Sequence, residues 1–343
     1  MARQCFEYHP ATAFRFVPGV RARIPHESGG YLLRANEQGF RCDRDFDAAR
    51  HGSTRRVLVF GDSFTAGDGV SNGKRYSDVL ETLLPDTETY NFGLPGSGTD
   101  QQYLAWREFA RDIEHDVLVI AVLVENVRRI MSRYRRFQDD AGKPVVFAKP
   151  YFTVDAKDTI TLHHSPPEPL PLAEEALPAE ERAGVDRGGR FELLRSVVRR
   201  LGLQETVQKL TRYQPVADYN SKSSPGWRLM RAILTQWVRE HGDASRVVIM
   251  PIPLYQHVEG TSSARAYQAR FAELCAETGC TLHDPLPDLL RHSPAERRAF
   301  RFPIDIHPTP EGHAAIAKSL APTIASLLER TAGSAMNPGA RNR

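Results

Sequence analysis

The residue of this chain best suited to nucleophilic chemistry is a serine that follows a predicted strand. Ser63 stands in a Gly-Asp-Ser-Phe segment directly after the apolar run Arg56–Phe60. Open α/β sheets bind ligands beyond the carboxyl ends of their strands, and a helix beginning there would aim backbone N–H groups at whatever Ser63 attacks. A serine hydroxyl also needs an adjacent base, for which the imidazole of His307 is suited. Gly-Asp-Ser alone is too short to identify an enzyme, since Ser63 could instead be a helix N-cap.

Three further polar segments stand after predicted strands or before the last predicted helix. They are Asn91–Gln102 after the second strand, Glu125-Asn126 at the end of the third, and Asp305–His313 near the carboxyl terminus. Together with the Gly-Asp-Ser segment, these blocks in this order resemble the SGNH (GDSL) hydrolase family. The resemblance covers residues from about 52 to 126 and from about 225 to 330, and it leaves much of the segment between them unexplained.

The resemblance implies a role for each matching residue. Ser63 corresponds to the nucleophile, His307 to the catalytic base and Asp305 to the carboxylate that orients the base. The oxyanion hole would consist of the backbone N–H groups of Ser63 and Gly96 and the side-chain amide of Asn126. Preorganised donors of this kind typically stabilise the transition state by about 3–4 kcal/mol each. A carboxylate beside His307 would fix its tautomer and stabilise the imidazolium formed during catalysis.

Three features depart from the family pattern. Asp305 precedes His307 by two positions instead of the usual three, a spacing that occurs in polysaccharide-modifying relatives. Asn126 lies in a Val-Glu-Asn-Val segment, without the glycine and the following aspartate of the usual Gly-x-Asn-Asp block. Pro95 constrains the turn before Gly96 without removing the Gly96 N–H. We therefore expect the oxyanion donors to be retained in a loop of different shape.

Short, apolar, β-branched runs predict the strands that must position these residues. They are Arg56–Phe60, Glu88–Phe92, Val117–Val124, Val247–Pro251 and Cys280–His283. Segments with helical spacing alternate with them, and the last helix begins at Pro310 with Thr309 as its N-cap. This alternation predicts an α/β fold with a three-layer α/β/α doubly wound parallel sheet. The SGNH resemblance implies the flavodoxin-like arrangement of that sheet.

Two long segments interrupt the alternation and indicate the domain organisation. We expect an irregular amino-terminal extension packed on the core (1–51), the hydrolase core (52–126 and 225–332), a long insertion after the third strand (127–224) and a disordered tail (333–343). Within the insertion the pattern predicts a hairpin of Val145–Val154 and Thr159–His163, an extended Pro-rich loop over Ser165–Arg182 and a helix over Phe191–Leu210. The insertion could be a lid over the catalytic face or a partner surface.

A run of arginines that includes Arg128 and Arg129 follows Asn126 directly. Apolar residues lie at helical spacing through this run, so the arginines are most simply the solvated face of an amphipathic helix. The alternative is that Arg128 and Arg129 bind substrate, attracting an anionic one such as an acidic sugar, a nucleotide sugar or an acyl-CoA. His313 follows within the last helix, where we interpret it as structural, although it could compete with His307 as the base.

The composition excludes several functional classes. The 343 residues include 45 Lys and Arg and 42 Asp and Glu, and a net charge of +3 does not indicate a nucleic-acid binder. The longest apolar run, Val117–Val124, is too short to span a membrane, and the amino terminus lacks a signal-peptide core, so we expect a cytoplasmic protein. Cys275, Cys280 and His283 match no closed zinc set. We expect neither a metal nor a cofactor.

The function predicted from these residues is that of a serine esterase. It would remove a small acyl group, expected to be acetyl, from a carbohydrate ester through an acyl-enzyme, the carbohydrate resting on family analogy alone. One alternative is an O-acyltransferase, in which a sugar hydroxyl replaces water in the second step. Another is a non-catalytic glycan-binding module on a hydrolase fold, which the altered Asn126 block suggests. The only partner expected is a small-molecule or glycan ester substrate.

Overall fold

The amino-terminal extension folds into two antiparallel hairpins, where the sequence predicts irregular chain. The computed structural model describes residues 5–50, 52–138, 144–182, 185–186 and 215–336. The extension contributes β1 (Phe6–His9) paired with β2 (Ala13–Phe16), and β3 (Arg21–Ile24) paired with β4 (Tyr31–Arg34). These strands are too short to show a clear alternation of polar and apolar residues. They are stabilised by a small core of their own, formed by Phe16, Tyr31, Leu33 and Ala35.

The centre of the protein is a parallel sheet of five strands. They are β5 (Arg55–Gly61), β6 (Thr87–Gly93), β7 (Val117–Leu123), β14 (Val247–Ile252) and β15 (Thr281–Leu282), in the order β15-β14-β7-β5-β6. Every residue of β7 is apolar and buried, as is typical of a parallel strand covered on both faces. Because β5 lies between β6 and β7, the carboxyl ends of these three strands meet at one edge of the sheet.

Helices cover both faces of this sheet, which confirms the predicted three-layer α/β/α fold. In chain order the α-helices of the described residues are α1 (Ser63–Ala66), α2 (Tyr76–Leu83), α3 (Thr99–Phe109), α4 (Asn126–Arg129), α5 (Ala179–Arg182, in the insertion), α6 (Pro225–His241), α7 (Tyr255–Val258), α8 (Arg265–Thr278), α9 (Leu286–Leu289), α10 (Pro294–Ala299) and α11 (Pro310–Met336). Helix α2 packs against α11, whereas α6 packs against α3 and α8. In the described part of the chain, no helix combines the length and the apolar character needed to cross a membrane.

The described part of the insertion adds two small sheets. Strands β8 (Tyr134–Gln138), β9 (Pro144–Ala148), β12 (Leu172–Ala173) and β13 (Val185–Asp186) form one sheet, and β10 (Tyr151–Val154) pairs with β11 (Ile160–His163) in the other. The predicted hairpin is therefore shorter than expected, because Pro144–Ala148 pairs with β8 instead. The Pro-rich stretch contains β12 and α5 and is not extended throughout. The helix predicted over Phe191–Leu210 lies outside the described residues.

Two predicted helix boundaries differ from the structure. The arginine run is helical only to Arg129, because Tyr134 begins β8 and is buried among Val146 and other residues of the small insertion sheet. The last helix continues to Met336, beyond the predicted start of the tail at residue 333. The segment from 331 to 336 contains two alanines and no proline, so the helix can continue through it despite Gly333. Residues 337–343 lie outside the described part.

A buried ion pair attaches the insertion to the core. Lys149, directly after β9, is bound to Asp100 in the first turn of α3, and both side chains are almost completely buried. Buried charges are tolerated only when they are paired, so removal of one partner leaves an uncompensated charge in the interior. The pair therefore holds the insertion against the turn that follows β6.

We expect Lys149→Met to lower the free energy of unfolding by about 3–5 kcal/mol, because it leaves the Asp100 carboxylate buried without its partner. Urea unfolding measures this change. The double variant Lys149→Met/Asp100→Asn should recover most of the loss. The matched control is Lys222→Met, whose ion pair with Glu273 is exposed and should contribute at most about 1 kcal/mol. Equal, small effects of both lysine variants would contradict the interpretation.

Candidate active site

Ser63 is the first residue of α1, directly beyond the carboxyl end of β5. The N-cap of this helix is Asp62, whose Oδ1 accepts the backbone N–H of Phe64 at 3.0 Å, so the alternative that Ser63 is itself the N-cap is wrong. Helix α1 lies very close to β6, because a Cβ added at Gly93 would be only 2.2 Å from the backbone nitrogen of Ala66. The turn between strand and helix thereby fixes the position of Ser63.

The loop before α11 brings His307 and Asp305 to Ser63. His307 Nε2 lies 2.7 Å from Ser63 Oγ, and His307 Nδ1 lies 2.5 Å from Asp305 Oδ1. The backbone N–H of His307 donates to the same carboxylate oxygen at 3.1 Å. Because Nδ1 faces a carboxylate, we assign the ring proton to Nδ1, which leaves the Nε2 lone pair to accept the Ser63 hydroxyl proton. The three side chains form one continuous hydrogen-bonded chain.

The surroundings of His307 favour its protonated form. Burial by itself lowers the pKa of His307, but the hydrogen bond to Asp305 and the nearby Asp68, Asp305 and Asp62 carboxylates outweigh burial and raise this pKa above its ordinary value. Burial also acts to raise the pKa of Asp305, yet the hydrogen bond and charge of His307 hold that pKa well below its usual range. Burial is the main reason that the pKa of Asp68 is raised.

Asn126 and Gly96 lie beyond the ends of the two strands that flank β5. Asn126 begins α4 and is completely buried, and within the described residues neither its Nδ2 nor its Oδ1 has a hydrogen-bond partner. A buried amide without partners is rare and costs free energy, so it requires an explanation. Gly96 has φ +71°, a conformation that favours glycine, and its carbonyl accepts a hydrogen bond from the Arg135 guanidinium.

The two predicted substrate-binding arginines have different positions. Arg129 reaches the turn that carries the candidate nucleophile, where its Nη1 lies 2.8 Å from Asp62 Oδ2. Arg128 is nearly half exposed and lies 3.9 Å from Glu125 and 3.8 Å from Asp218. Within the described residues, Arg129 therefore contacts a residue adjacent to Ser63, whereas Arg128 does not.

Three residues of the amino-terminal extension also reach the site, and sequence reasoning missed all of them. His26 Nε2 lies 3.1 Å from Asp305 Oδ2, and a carboxylate oxygen of Glu27 accepts the backbone N–H of Asp305 at 2.5 Å. Arg41 is fully buried and donates to the carbonyl of Gly67, beyond α1, at 2.5 Å. His26 and Asp305 are 279 positions apart, and no local motif marks His26 as a partner of Asp305.

The other residues weighed from the sequence lie elsewhere. His313 is fully buried, its Nδ1 accepts the backbone N–H of Tyr76 at 3.2 Å, and burial lowers its pKa to about 3. Cys275 and Cys280 are free thiols. Over the described ranges, no group of three or more His, Cys, Asp or Glu side chains could hold a metal ion.

A small apolar cavity of about 40 Å³ lies beside the His307 loop. Phe64, which follows Ser63, and Ile306 and Pro308, which flank His307, line its near side. The Phe64 ring also packs against the His307 imidazole, with centroids 5.0 Å apart. The remaining wall comes largely from apolar residues at the end of β14, in the segments that follow it and in α11, including Ile252, Val258, Phe300 and Ile316. The cavity adjoins the residues on either side of His307.

Comparison with known proteins places the chain in one family. The model of the GDSL-like lipase/acylhydrolase family matches residues 59–315. Similar solved structures include a member of the lipolytic G-D-S-L family from Veillonella parvula, at 12% identity and TM-score 0.41 over 79% of this chain and 99% of that one. Another is the lipase/acylhydrolase from Enterococcus faecalis, at 13% identity and TM-score 0.42 over 80% of this chain and 96% of that one. No curated protein sequence matches. From the family match, which spans both the Ser63 turn and the His307 loop, the chain belongs to the GDSL-like lipase/acylhydrolase family of ester hydrolases.

Proposed function

We propose that this ester hydrolase is a serine esterase that works through an acyl-enzyme, with Ser63 as nucleophile, His307 as base and Asp305 as orienting carboxylate. The observation that carries the proposal is the continuous hydrogen-bonded chain from Asp305 through His307 to Ser63. A hydroxyl of ordinary pKa becomes a nucleophile only when a base of matched pKa is within hydrogen-bond distance. Here the distance between His307 Nε2 and Ser63 Oγ is 2.7 Å.

The proposed reaction has two steps that share one base. Ser63 Oγ attacks the ester carbonyl while His307 Nε2 takes the hydroxyl proton, and the Asp305 carboxylate stabilises the imidazolium. The tetrahedral intermediate then collapses, and the leaving alcohol takes the proton from His307. In the second step water attacks the acyl-enzyme, and His307 accepts a water proton. His307 returns this proton to Ser63 as the carboxylic acid leaves.

The oxyanion formed in each step needs hydrogen-bond donors that are already in position. We propose that these are the N–H groups of Ser63 and Gly96 and the side-chain amide of Asn126. The absence of a partner for the buried Asn126 amide within the described residues supports this role, because a substrate oxyanion would satisfy it. The Arg135 contact with the Gly96 carbonyl would hold the Gly96 peptide in place.

We propose a small acyl group, acetyl, on a carbohydrate as the substrate. The Asp-x-His spacing, which resembles polysaccharide-modifying relatives, supports the carbohydrate. The position of the insertion supports the small acyl group: Arg129 contacts Asp62 and Arg135 contacts Gly96, so residues following Asn126 crowd the turns around Ser63. We propose that the insertion thereby narrows the pocket, and that Arg129 and the exposed Arg128 meet any anionic part of the substrate.

A direct test compares release of the acid with transfer of the acyl group. Purified protein is incubated with 4-nitrophenyl esters of increasing chain length and with acetylated oligosaccharides, each with and without a deacetylated glycan. Acetate release that depends on Ser63 and declines with chain length supports the proposal. Transfer of acetyl to the added glycan would instead indicate an O-acyltransferase. Glycan binding without turnover would indicate a binding module.

Ser63→Ala should abolish both ester turnover and labelling by a serine-directed fluorophosphonate, because the attacking oxygen is removed. Mass spectrometry of the labelled peptides locates the modified residue. The matched control is Ser223→Ala, which changes an exposed serine hydrogen-bonded to Ser221 and should leave labelling unaffected. Labelling of a serine other than Ser63 would contradict the proposed mechanism.

Asn126→Ala should lower kcat by about 10²–10³ and leave KM nearly unchanged, because the lost hydrogen bond forms mainly in the transition state. Steady-state kinetics with 4-nitrophenyl acetate separate the two constants. Asn220→Ala, at an exposed position, should leave both unchanged. A change in KM alone would show that Asn126 only binds substrate.

Activity should be lost as pH falls through the raised pKa of His307, because the imidazole must be neutral to accept the Ser63 proton. In Asp305→Asn the hydrogen bond to a carboxylate and one negative charge that raise the pKa of His307 are lost, so this pKa should fall. The acid limb of kcat/KM should move to lower pH, while the plateau drops by about 10⁴ because the imidazole tautomer is no longer fixed. NMR titration of the His307 ring protons measures the pKa directly. An unchanged or higher pKa in the variant would contradict this account.

A further inference from the structure

The amino-terminal extension places a second histidine, His26, in contact with Asp305. His26 lies in the connection between β3 and β4, and its Nε2 is 3.1 Å from Asp305 Oδ2, the carboxylate oxygen that His307 does not use. The His26 side chain is only 9% exposed. Its ring packs against Phe302, with centroids 4.5 Å apart at a steep angle, so the imidazole is held from the side as well.

The hydrogen bonds on the other side of the ring fix its tautomer. His26 Nδ1 accepts the backbone N–H of Ser28 at 3.2 Å and lies 2.9 Å from Ser28 Oγ. A nitrogen that accepts a backbone N–H carries a lone pair, so the proton of the neutral ring is on Nε2. His26 therefore donates to Asp305. The Asp305 carboxylate thus accepts one ring N–H from His26 and one from His307.

This donation occupies the second oxygen of Asp305. Oδ1 accepts the Nδ1–H and the backbone N–H of His307, and Oδ2 accepts the Nε2–H of His26. Glu27 holds the same loop from the next position, because its carboxylate accepts the backbone N–H groups of Ile304 and Asp305. The Asp305 carboxylate is about one-third exposed, so without His26 its free oxygen would turn toward water and the His307 contact would loosen.

We infer that His26 is a positioning residue for the esterase reaction, acting through Asp305, and that the extension is an integral part of the catalytic unit. The inference rests on the proposed function of Ser63, His307 and Asp305. The family match begins at residue 59, so the part of the chain that supplies His26 lies outside it. His26 touches neither Ser63 nor His307 in the hydrogen bonds that define the site.

A set of three variants at this position tests the inference. His26→Leu removes the donor and should lower kcat for 4-nitrophenyl acetate by about 10- to 100-fold, the range found when the partners that orient metal ligands are lost, with KM unchanged. His26→Gln places an amide N–H near the position of Nε2 and should restore most of the activity. His26→Asn has the same amide on a shorter stem that does not reach Asp305, and should behave like His26→Leu. Leu32→Ala, at an exposed position on the same hairpin, is the control for the extension.

A double-variant cycle separates positioning from folding. If His26 acts through Asp305, His26→Leu should cause no further loss in an Asp305→Ala background. Any of three results would overturn the inference. The first is a full additional loss of kcat in the Asp305→Ala background. The others are wild-type activity of His26→Leu, or an activity of His26→Gln no higher than that of His26→Asn. If His26→Leu fails to fold, comparison of kcat between His26→Gln and His26→Asn still tests the inference.

A spectroscopic readout keeps the inference distinct from the proposed function. The Nδ1–H proton of His307, hydrogen-bonded to a carboxylate, should give a low-field NMR resonance in the wild type and in His26→Gln. In His26→Leu it should be broadened or lost to exchange with water. If the wild type shows no turnover that depends on Ser63, the proposed function fails while this resonance still reports on His26. A resonance unchanged in His26→Leu would overturn the positioning role.

Discussion

The hydrogen bond between His307 and Ser63 joins two groups that are 244 positions apart in the chain, and the geometry of the whole site depends on it. Neither residue can hold this distance alone, because fixing each loop costs conformational entropy of about 1–2 kcal/mol per residue. The sheet supplies one reference point, because Ser63 directly follows the carboxyl end of the inner strand β5. Helix α11 supplies the other, since it packs on α2 and begins just beyond His307. The distance is therefore set by packing of the core and not by the loops themselves.

Charged side chains around the Ser63 turn are buried with hydrogen-bond partners, and this arrangement makes the turn rigid. Asp62 caps α1 through one oxygen and binds Arg129 through the other, while Arg41 holds the carbonyl of Gly67 at the opposite end of the helix. Unpaired, any of these groups would be costly to bury. Paired, they fix a four-residue helix that has too few internal hydrogen bonds to be stable on its own. The amino-terminal extension, through Arg41 and His26, stabilises both halves of the site.

The parts of the fold and site that the sequence could predict are those set by local pattern. The unbroken apolar run of β7 identifies a buried parallel strand, and the rule that ligands bind beyond strand ends places Ser63 and Asn126 at one edge. The contacts of His26 and Arg41 could not be predicted, because they join distant segments and neither residue lies in a recognisable motif. Tyr134 shows the same limit: helical spacing favours a helix there, but pairing with β9 makes it a strand.

The central claim is that His307 activates Ser63 for covalent catalysis, and trapping of the acyl-enzyme tests it most directly. The protein is mixed with 4-nitrophenyl acetate, quenched in acid within the first turnover, digested and analysed by mass spectrometry. We expect one acetyl group, located on Ser63 in the wild type and absent over the same interval in His307→Gln. Acetylation of a different residue, or acetylation of Ser63 at an equal rate in His307→Gln, would contradict it.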